Sequence, residues 1–198
     1  MKKTLLLLLF TLGLVGCAQI PTAQHVNWQT QQQQLENLNE WTLTGKLAYF
    51  TSELRFSRNL FWQQSGEEFQ ITLTNFLGLT TLDVIKDQSG TKIIFDGKTY
   101  YGNDPEILIE KLSGFVIPIA ALQQWIKGNP NHASYQLDGN NQVISLSSSD
   151  PHNVQWTVDY GDYKAIQGIN LPHKLQLKQQ DLRIKFSISK WQITPIKE

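Results

Sequence analysis

One thiol in 198 residues is placed for covalent chemistry. Cys17 follows Leu14-Val15-Gly16. Ahead of these stand Lys2, Lys3 and an apolar run from Leu5 to Leu14, interrupted by Thr11 and Gly13. A charged start, a short apolar core and small residues at a cleavage point describe a secretory signal peptide. A cysteine in that register completes a bacterial lipobox. The chemistry it points to is cleavage before Cys17 by signal peptidase II, diacylglyceryl transfer to the thiol and acylation of the new amine. The run is too short for a membrane span, which takes about 20 apolar residues. Two acyl chains already suffice for stable anchoring. Ala18 stands where an aspartate would favour the inner membrane, so the outer membrane is the expected destination.

Other reactive constellations are thin. His25, His132, His152 and His173 are scattered, and no pair has metal-ligand spacing. Acylation removes Cys17 as a nucleophile, and no Gly-x-Ser-x-Gly elbow is present. Gly90 and Gly97-Lys98-Thr99 echo a phosphate loop, but six residues separate the glycines where that loop has four. Asp96-Gly97 reads better as a hairpin turn. Asp104 and Glu106 are better explained by a helix start than as paired catalytic carboxylates. The reading therefore expects no enzyme, no metal and no cofactor.

Charge is balanced, with 17 Lys and Arg against 17 Asp and Glu; without Lys2 and Lys3 it becomes 15 against 17. No basic concentration of the kind that binds nucleic acid is evident. A single cysteine excludes an intramolecular disulfide, so stability rests on burial. Six Trp, nine Phe and six Tyr supply large apolar areas, to fill a core or line a cavity.

Three segments follow: residues 1–16 as signal peptide, 17–34 as lipidated N-terminus and polar spacer, and 35–198 as one domain. Trp28, Leu35, Leu38 and Trp41 fall near helical spacing, which predicts an amphipathic helix closing onto the domain. From Trp41 the period becomes two: Trp41, Leu43, Gly45, Leu47 and Tyr49 alternate with polar or smaller neighbours. Strands are predicted over 56–64, from Phe69, over 79–86, 91–95 and 98–101, joined by tight turns. Asp104-Pro105 starts a helix and Gly114 stops it. Pro118 opens a second, with Ile119, Leu122, Trp125 and Ile126 on one face. Strands resume at 134–137, 143–147, 154–160, 174–178 and 182–191, with turns at 139–141, 150–151 and Gly161-Asp162. A sheet of this length curls. Helices across its concave face would leave a mouth with a lid.

Asn75-Phe76-Leu77-Gly78-Leu79 breaks the rule that connecting loops are polar. Two readings stand. Either the tip folds back into the core, or it projects as an apolar finger toward a bilayer or a partner's groove.

Ordered stretches carry a resemblance: Trp41-Thr42-Leu43-Thr44-Gly45-Lys46-Leu47-Ala48, Asn59 to Gly66, Leu73-Thr74-Asn75 with Leu77-Gly78, Leu112-Ser113-Gly114 with Ile117-Pro118, Leu122 with Trp125-Ile126 and Gly128, Tyr135 with Leu137-Asp138, Arg183-Ile184-Lys185, and Trp191. In these the chain resembles the LolB family of outer-membrane lipoprotein receptors. The resemblance implies a mainly β fold with a helical lid (α+β): a single-domain, open and incomplete antiparallel β-barrel enclosing an apolar cavity. It implies a lipid-anchored protein of the outer membrane facing the periplasm. Such a receptor takes acylated lipoproteins from a soluble LolA-like periplasmic carrier and inserts them into outer-membrane phospholipid, without nucleotide and as a monomer. Membrane insertion would fall to Phe76, Leu77, Gly78 and Leu79, with Leu77 leading. Where the family usually has proline, this chain has Phe76, which adds apolar area and gives up rigidity.

Strand alternation and the lid helices assign the acyl-chain cavity to Leu43, Leu47, Leu60, Trp62, Phe69, Ile71, Leu108, Leu112, Ile119, Leu122 and Trp125. Alternation defines a face without distinguishing lining from core. Two rival functions are open at this point. A structural or assembly lipoprotein would use the sheet as a protein-binding surface, and a lipid-modifying enzyme would place convergent polar groups in the pocket.

Overall fold

The computed structural model describes residues 26–149 and 154–194. Cys17 with its lipobox, His25, His152 and the predicted turn at 150–151 lie outside them. Eleven strands form one sheet: β1 (Glu40–Phe50), β2 (Arg55–Ser65), β3 (Glu68–Thr74), β4 (Thr80–Asp87), β5 (Gly90–Phe95), β6 (Lys98–Gly102), β7 (Ser134–Leu137), β8 (Val143–Ser149), β9 (Gln155–Ile166), β10 (Ile169–Gln179) and β11 (Leu182–Ile193). Helix α1 (Trp28–Asn37) precedes the sheet, and α2 (Pro105–Ser113) with α3 (Ile119–Trp125) interrupt it. No described helix is long and apolar enough to cross a membrane.

Strand order is β6-β5-β4-β3-β2-β1-β11-β10-β9-β8-β7, with antiparallel neighbours throughout. Two meanders therefore meet at one seam, where β1 pairs with β11. The outer edges, β6 and β7, are not paired with each other, so the sheet stays open. Because α2 and α3 connect those edges, the topology alone obliges the helical segment to pass from one edge of the curved sheet to the other. The seam is tight at Gly45: a Cβ there would stand 2.2 Å from the Ser187 carbonyl oxygen. The register shifts between Thr44 and Gly45 at the same place.

The predicted alternation of β1 is present, with Trp41, Leu43 and Tyr49 buried. The predicted turn at Gly161-Asp162 is not. Both residues lie within β9, and the chain reverses at Gln167-Gly168, where both φ values are positive (50° and 85°). Strand β10 accordingly starts at Ile169 and takes in Pro172 and His173. The local signal misleads because Gly161 and Asp162 have turn composition, and Asp162 does take a left-handed φ of 57°, but Gly161 and Tyr163 on either side of it pair with Lys174 and Pro172 of β10, so the chain passes through without reversing.

Helix α1 begins within the Gln-rich stretch read as spacer. Asn27 caps it, its Oδ1 accepting from the amides of Gln29 and Thr30. Leu35 and Leu38 are buried against the sheet. Gln31 is buried as well: its Nε2 donates to the Asn170 carbonyl at 2.7 Å, and its Oε1 accepts from the Asn170 amide at 3.3 Å.

Candidate functional site

The apolar face of the sheet and the lid form one contiguous cluster. Of the eleven predicted lining residues, Leu43, Leu60, Trp62, Phe69, Ile71, Ile119, Leu122 and Trp125 are buried in it, and Leu47, Leu108 and Leu112 pack partly buried at its margin. The structure thus brings all eleven together, and their own side chains occupy the space between sheet and lid. Two surface depressions, of about 480 and 390 Å³, lie elsewhere, and none of the eleven lines either.

The two ends of this interior differ. At one end Trp41, at the seam, packs on Trp62 (5.3 Å between ring centroids) and on Trp191 (5.4 Å), joining β2, β1 and β11. Both flanking indoles are fixed, Trp62 Nε1 donating to Gln64 and Trp191 Nε1 to the Pro172 carbonyl. At the other end Tyr49 stacks on Phe56 at 5.0 Å and meets the edge of Phe115, between α2 and α3, at 6.2 Å. The Arg58 guanidinium lies 5.1 Å from the Phe56 ring. The first end is closed by immobilised indoles. The second carries a cation and softer aromatic contacts.

The lid helices are secured differently. In α2, Asp104 Oδ1 accepts from the amides of Glu106 (2.8 Å) and Ile107 (3.3 Å), Pro105 occupies the first turn, and Gly114 ends the helix at φ 76°. No residue of α2 is fully buried. Helix α3 receives no cap from its own N-cap residue, Pro118; Glu106 Oε1 of α2 accepts from the Ala120 amide at 3.0 Å, and Ile119, Leu122 and Trp125 are buried. The Tyr160 hydroxyl donates to the Trp125 carbonyl at 2.9 Å. Just beyond, Lys127 is 1% exposed, and its Nζ donates to the carbonyls of Leu35 (2.7 Å) and Leu38 (2.9 Å) at the end of α1. Burial pushes this ammonium down from 10.5 to about 8, with nearby Glu36 opposing the shift. Sequence reading passed over Lys127 and Gln31, since a lysine after an amphipathic run and one glutamine of four carry no local mark of burial.

The segment 75–79 is the tip of the β3–β4 hairpin and does not fold back. Phe76 is 90% exposed, Leu77 68% and Leu79 62%. Gly78, at φ 82°, donates to the Asn75 carbonyl, closing a four-residue turn with asparagine first and glycine last. Asn75 Oδ1 accepts from the amides of Leu77 (2.9 Å) and Leu79 (3.0 Å), and the Asn75 amide donates to the Leu79 carbonyl. The rigidity expected to be lost with Phe76 in place of proline is supplied by Asn75. Three apolar side chains are thereby held in water on a pinned turn.

Among the described residues no three His, Cys, Asp or Glu converge as metal ligands. Of the histidines within the described structure, His173 is buried, with Nδ1 2.8 Å from the Ile188 carbonyl, and His132 is exposed.

Comparison with known proteins agrees with this architecture. The family described as "LolB: Outer membrane lipoprotein LolB" matches residues 39–191. The outer-membrane lipoprotein LolB of Psychromonas ingrahamii is 52% identical over 195 residues, covering 96% of each chain. That of Aeromonas hydrophila is 38% identical, covering 96% of this chain and 99% of the other. Among solved structures, a LolA superfamily protein from Nitrosomonas europaea superposes with a TM-score of 0.54 at 7% identity, over 87% of this chain and 96% of the other, a likeness of fold. On the family match and these two relatives, the chain belongs to the outer-membrane lipoprotein LolB family.

Proposed function

We propose that this protein is an outer-membrane lipoprotein receptor, which accepts acylated lipoproteins from a periplasmic carrier and delivers them into the outer membrane. The observation that carries the reading is the open sheet with one contiguous apolar cluster on its inner face, roofed by an edge-to-edge lid whose α2 packs on that cluster with no residue fully buried. Residues 1–16 are removed, Cys17 is acylated and fixes the protein in the outer membrane, and the chain ahead of α1 tethers a domain facing the periplasm. The partners are a LolA-like carrier, the acyl chains of its cargo and outer-membrane phospholipid.

Acyl chains enter when α2 swings away from β5 and β6, admitting the cargo between sheet and lid. Leu47, Leu108 and Leu112, at the margin of the cluster, meet it first. The deeper candidates line the space as it opens. Each buried methylene contributes about 0.8 kcal/mol, so a long chain does not cross water unsheltered at a useful rate. Transfer runs downhill without nucleotide and without catalysis if the receptor binds more tightly than the carrier and the membrane more tightly still. Each tenfold step takes about 1.4 kcal/mol, less than two methylenes. Leu77, projecting with Phe76 and Leu79, assists insertion of the cargo into the bilayer.

The test mixes the soluble chain, lacking residues 1–17, with a carrier–lipoprotein complex and follows which protein the lipoprotein elutes with. Cargo is expected to move to the receptor. Leu77→Glu is expected to accept cargo and deliver it poorly to liposomes. Cargo that stays on an active carrier would overturn the receptor reading and favour a structural lipoprotein using the sheet as a protein-binding surface.

A further inference from the structure

Antiparallel alternation sends the β1–β2, β3–β4 and β5–β6 turns to the same end of the sheet. Each of the three turns exposes a large apolar side chain. The β3–β4 tip carries Phe76, Leu77 and Leu79; Leu54 in the β1–β2 turn is 52% exposed; Phe95, beside the β5–β6 turn, is 41% exposed. Five of the nine large apolar residues exposed in the described structure therefore stand on these three turns, which is concentration and not scatter. The turns are also pinned. Thr51 donates its amide to the Leu54 carbonyl and accepts from the Leu54 amide on its hydroxyl. Asp96 and Gly97 both take positive φ, the tight hairpin geometry. Apolar side chains held this way in water lack the freedom to collapse onto the domain.

Beside this row lies a cationic cluster on the outer face of the sheet. Phe50, the last residue of β1, is the direct cross-strand neighbour of Arg55 on β2 and of Arg183 on β11. The Arg183 guanidinium lies 4.9 Å from the Phe50 ring centroid, Arg55 at 6.0 Å and the Lys185 ammonium at 5.9 Å. The only ion pairs among the described residues are Lys164–Asp162 and Lys178–Asp159, so none of these three cations is neutralised by a carboxylate. Glu53 and Asp181 stand in the adjoining turns without pairing to them. A guanidinium stacked on a ring keeps its N–H edge free for a bidentate phosphate contact. Apolar tips with unpaired arginines and a lysine beside them match a bilayer surface that presents anionic headgroups over an apolar interior.

We propose that this whole end of the sheet is a bilayer-docking face: Leu54 and Phe95 enter the membrane beside the 76–79 tip, and Arg55, Arg183 and Lys185 around Phe50 bind lipid phosphate. The proposal rests on the receptor reading and enlarges its membrane contact from one loop to three turns and a headgroup site. The face orients the tethered domain with its softer, Phe56 end toward the bilayer, so that cargo leaves the interior next to its destination.

The test uses the mature, acylated protein in vesicles. Its one native cysteine is the acylated Cys17, so Leu54→Cys, Phe95→Cys, Leu77→Cys and, at the opposite end, Glu67→Cys each accept a single environment-sensitive dye. On vesicles containing phosphatidylglycerol, dyes at 54, 77 and 95 are expected to shift to the blue, and the dye at 67 to remain as in water. Replacing Arg55, Arg183 and Lys185 together by glutamine is expected to lower the ratio of docked to undocked domains about tenfold or more, as is exchanging phosphatidylglycerol for neutral phosphatidylcholine. Arg55→Lys with Arg183→Lys, which keeps the charge and loses the bidentate fork, should dock more weakly than the native protein and more strongly than the glutamine variant, and controls for folding. A shift at 77 without one at 54 and 95 overturns the proposal and leaves a single inserting loop. Indifference of all dyes to the cations and to anionic lipid overturns the headgroup site. Loss of cargo acceptance from the carrier in the glutamine variant, with dye shifts intact, reassigns the cluster to carrier docking. Cargo transfer by the unsubstituted protein is measured alongside, so that failure of the receptor reading shows as absent transfer whatever the dyes report.

Discussion

The two lid helices present opposite solutions to one problem. Helix α2 is stabilised at its ends by Asp104, Pro105 and Gly114, and rests on the cluster through Leu108, Ile109 and Leu112, none of them fully buried. Helix α3 is uncapped by its own Pro118 and is held from without, by three buried side chains, Glu106 of α2 on its Ala120 amide, Tyr160 on its last carbonyl, and Lys127 reaching α1. A helix whose termini are satisfied locally loses little when it lifts from a surface. One whose partners lie on distant strands cannot leave without stranding them. On the proposed function the difference makes α2 the leaf expected to move and α3 its hinge, and it follows the division of the sheet: α2 touches β5 and β6, while anchors of α3 sit on β9 and α1.

The comparison breaks most visibly at Trp125. Trp125→Ala should cost about 3–5 kcal/mol in urea unfolding, whereas Leu112→Ala, at the cluster margin, should cost about 1–2 kcal/mol; equal costs would mean that the leaf is as fixed as the hinge. Lys127→Met removes the donor to two carbonyls and should cost about 1–3 kcal/mol at pH 7. This pair also has a pH signature. The folded protein holds the Lys127 proton less tightly than the unfolded chain, which therefore binds more protons between pH 8 and 10.5, and raising the pH across that window favours the folded state. Stability of the native protein relative to Lys127→Met should rise from pH 8 to 10, by an amount on the order of 1–3 kcal/mol; parallel curves would contradict the burial of this charge.

Smaller effects sharpen the contrast. Tyr160→Phe leaves the Trp125 carbonyl without its partner and should cost about 1–1.5 kcal/mol by thermal or urea unfolding. Asp104→Ala should cost about 1 kcal/mol or less, mostly as local fraying of α2 seen in amide exchange, and should raise the rate at which an acyl-chain probe enters. Slower entry would place the moving element elsewhere. Asn75→Ala should leave global stability within about 0.5 kcal/mol while loosening the tip, read as slower cargo delivery to liposomes with uptake unchanged.

Much of this architecture was legible in local pattern. The period-two alternation of β1, the Asp96-Gly97 hairpin, the Asp104 cap and the Gly114 stop are decided by residues within a few positions of one another, and each lies where the sequence put it. The exposed tip was legible as an anomaly, although whether it pointed in or out depended on the Asn75 hydrogen bonds. Gly161-Asp162 misled because turn composition is a local tendency that pairing with β10 overrides. Gln31 and Lys127 were invisible, since their burial is set by carbonyls 139 and about 90 residues away in the chain.

By itself the sequence determined most of the strands, the helices, most of the turn residues and the pool of apolar side chains, all of which follow from short-range sterics, capping and periodicity. Only the tertiary structure decided that β1 meets β11, that the lid runs from one open edge to the other, that its two helices are held so unequally, and that three turns and the Phe50 cations share one end. Those outcomes depend on which distant segments pair. Pairing is chosen by the combined burial of both meanders, and no single stretch of chain encodes it.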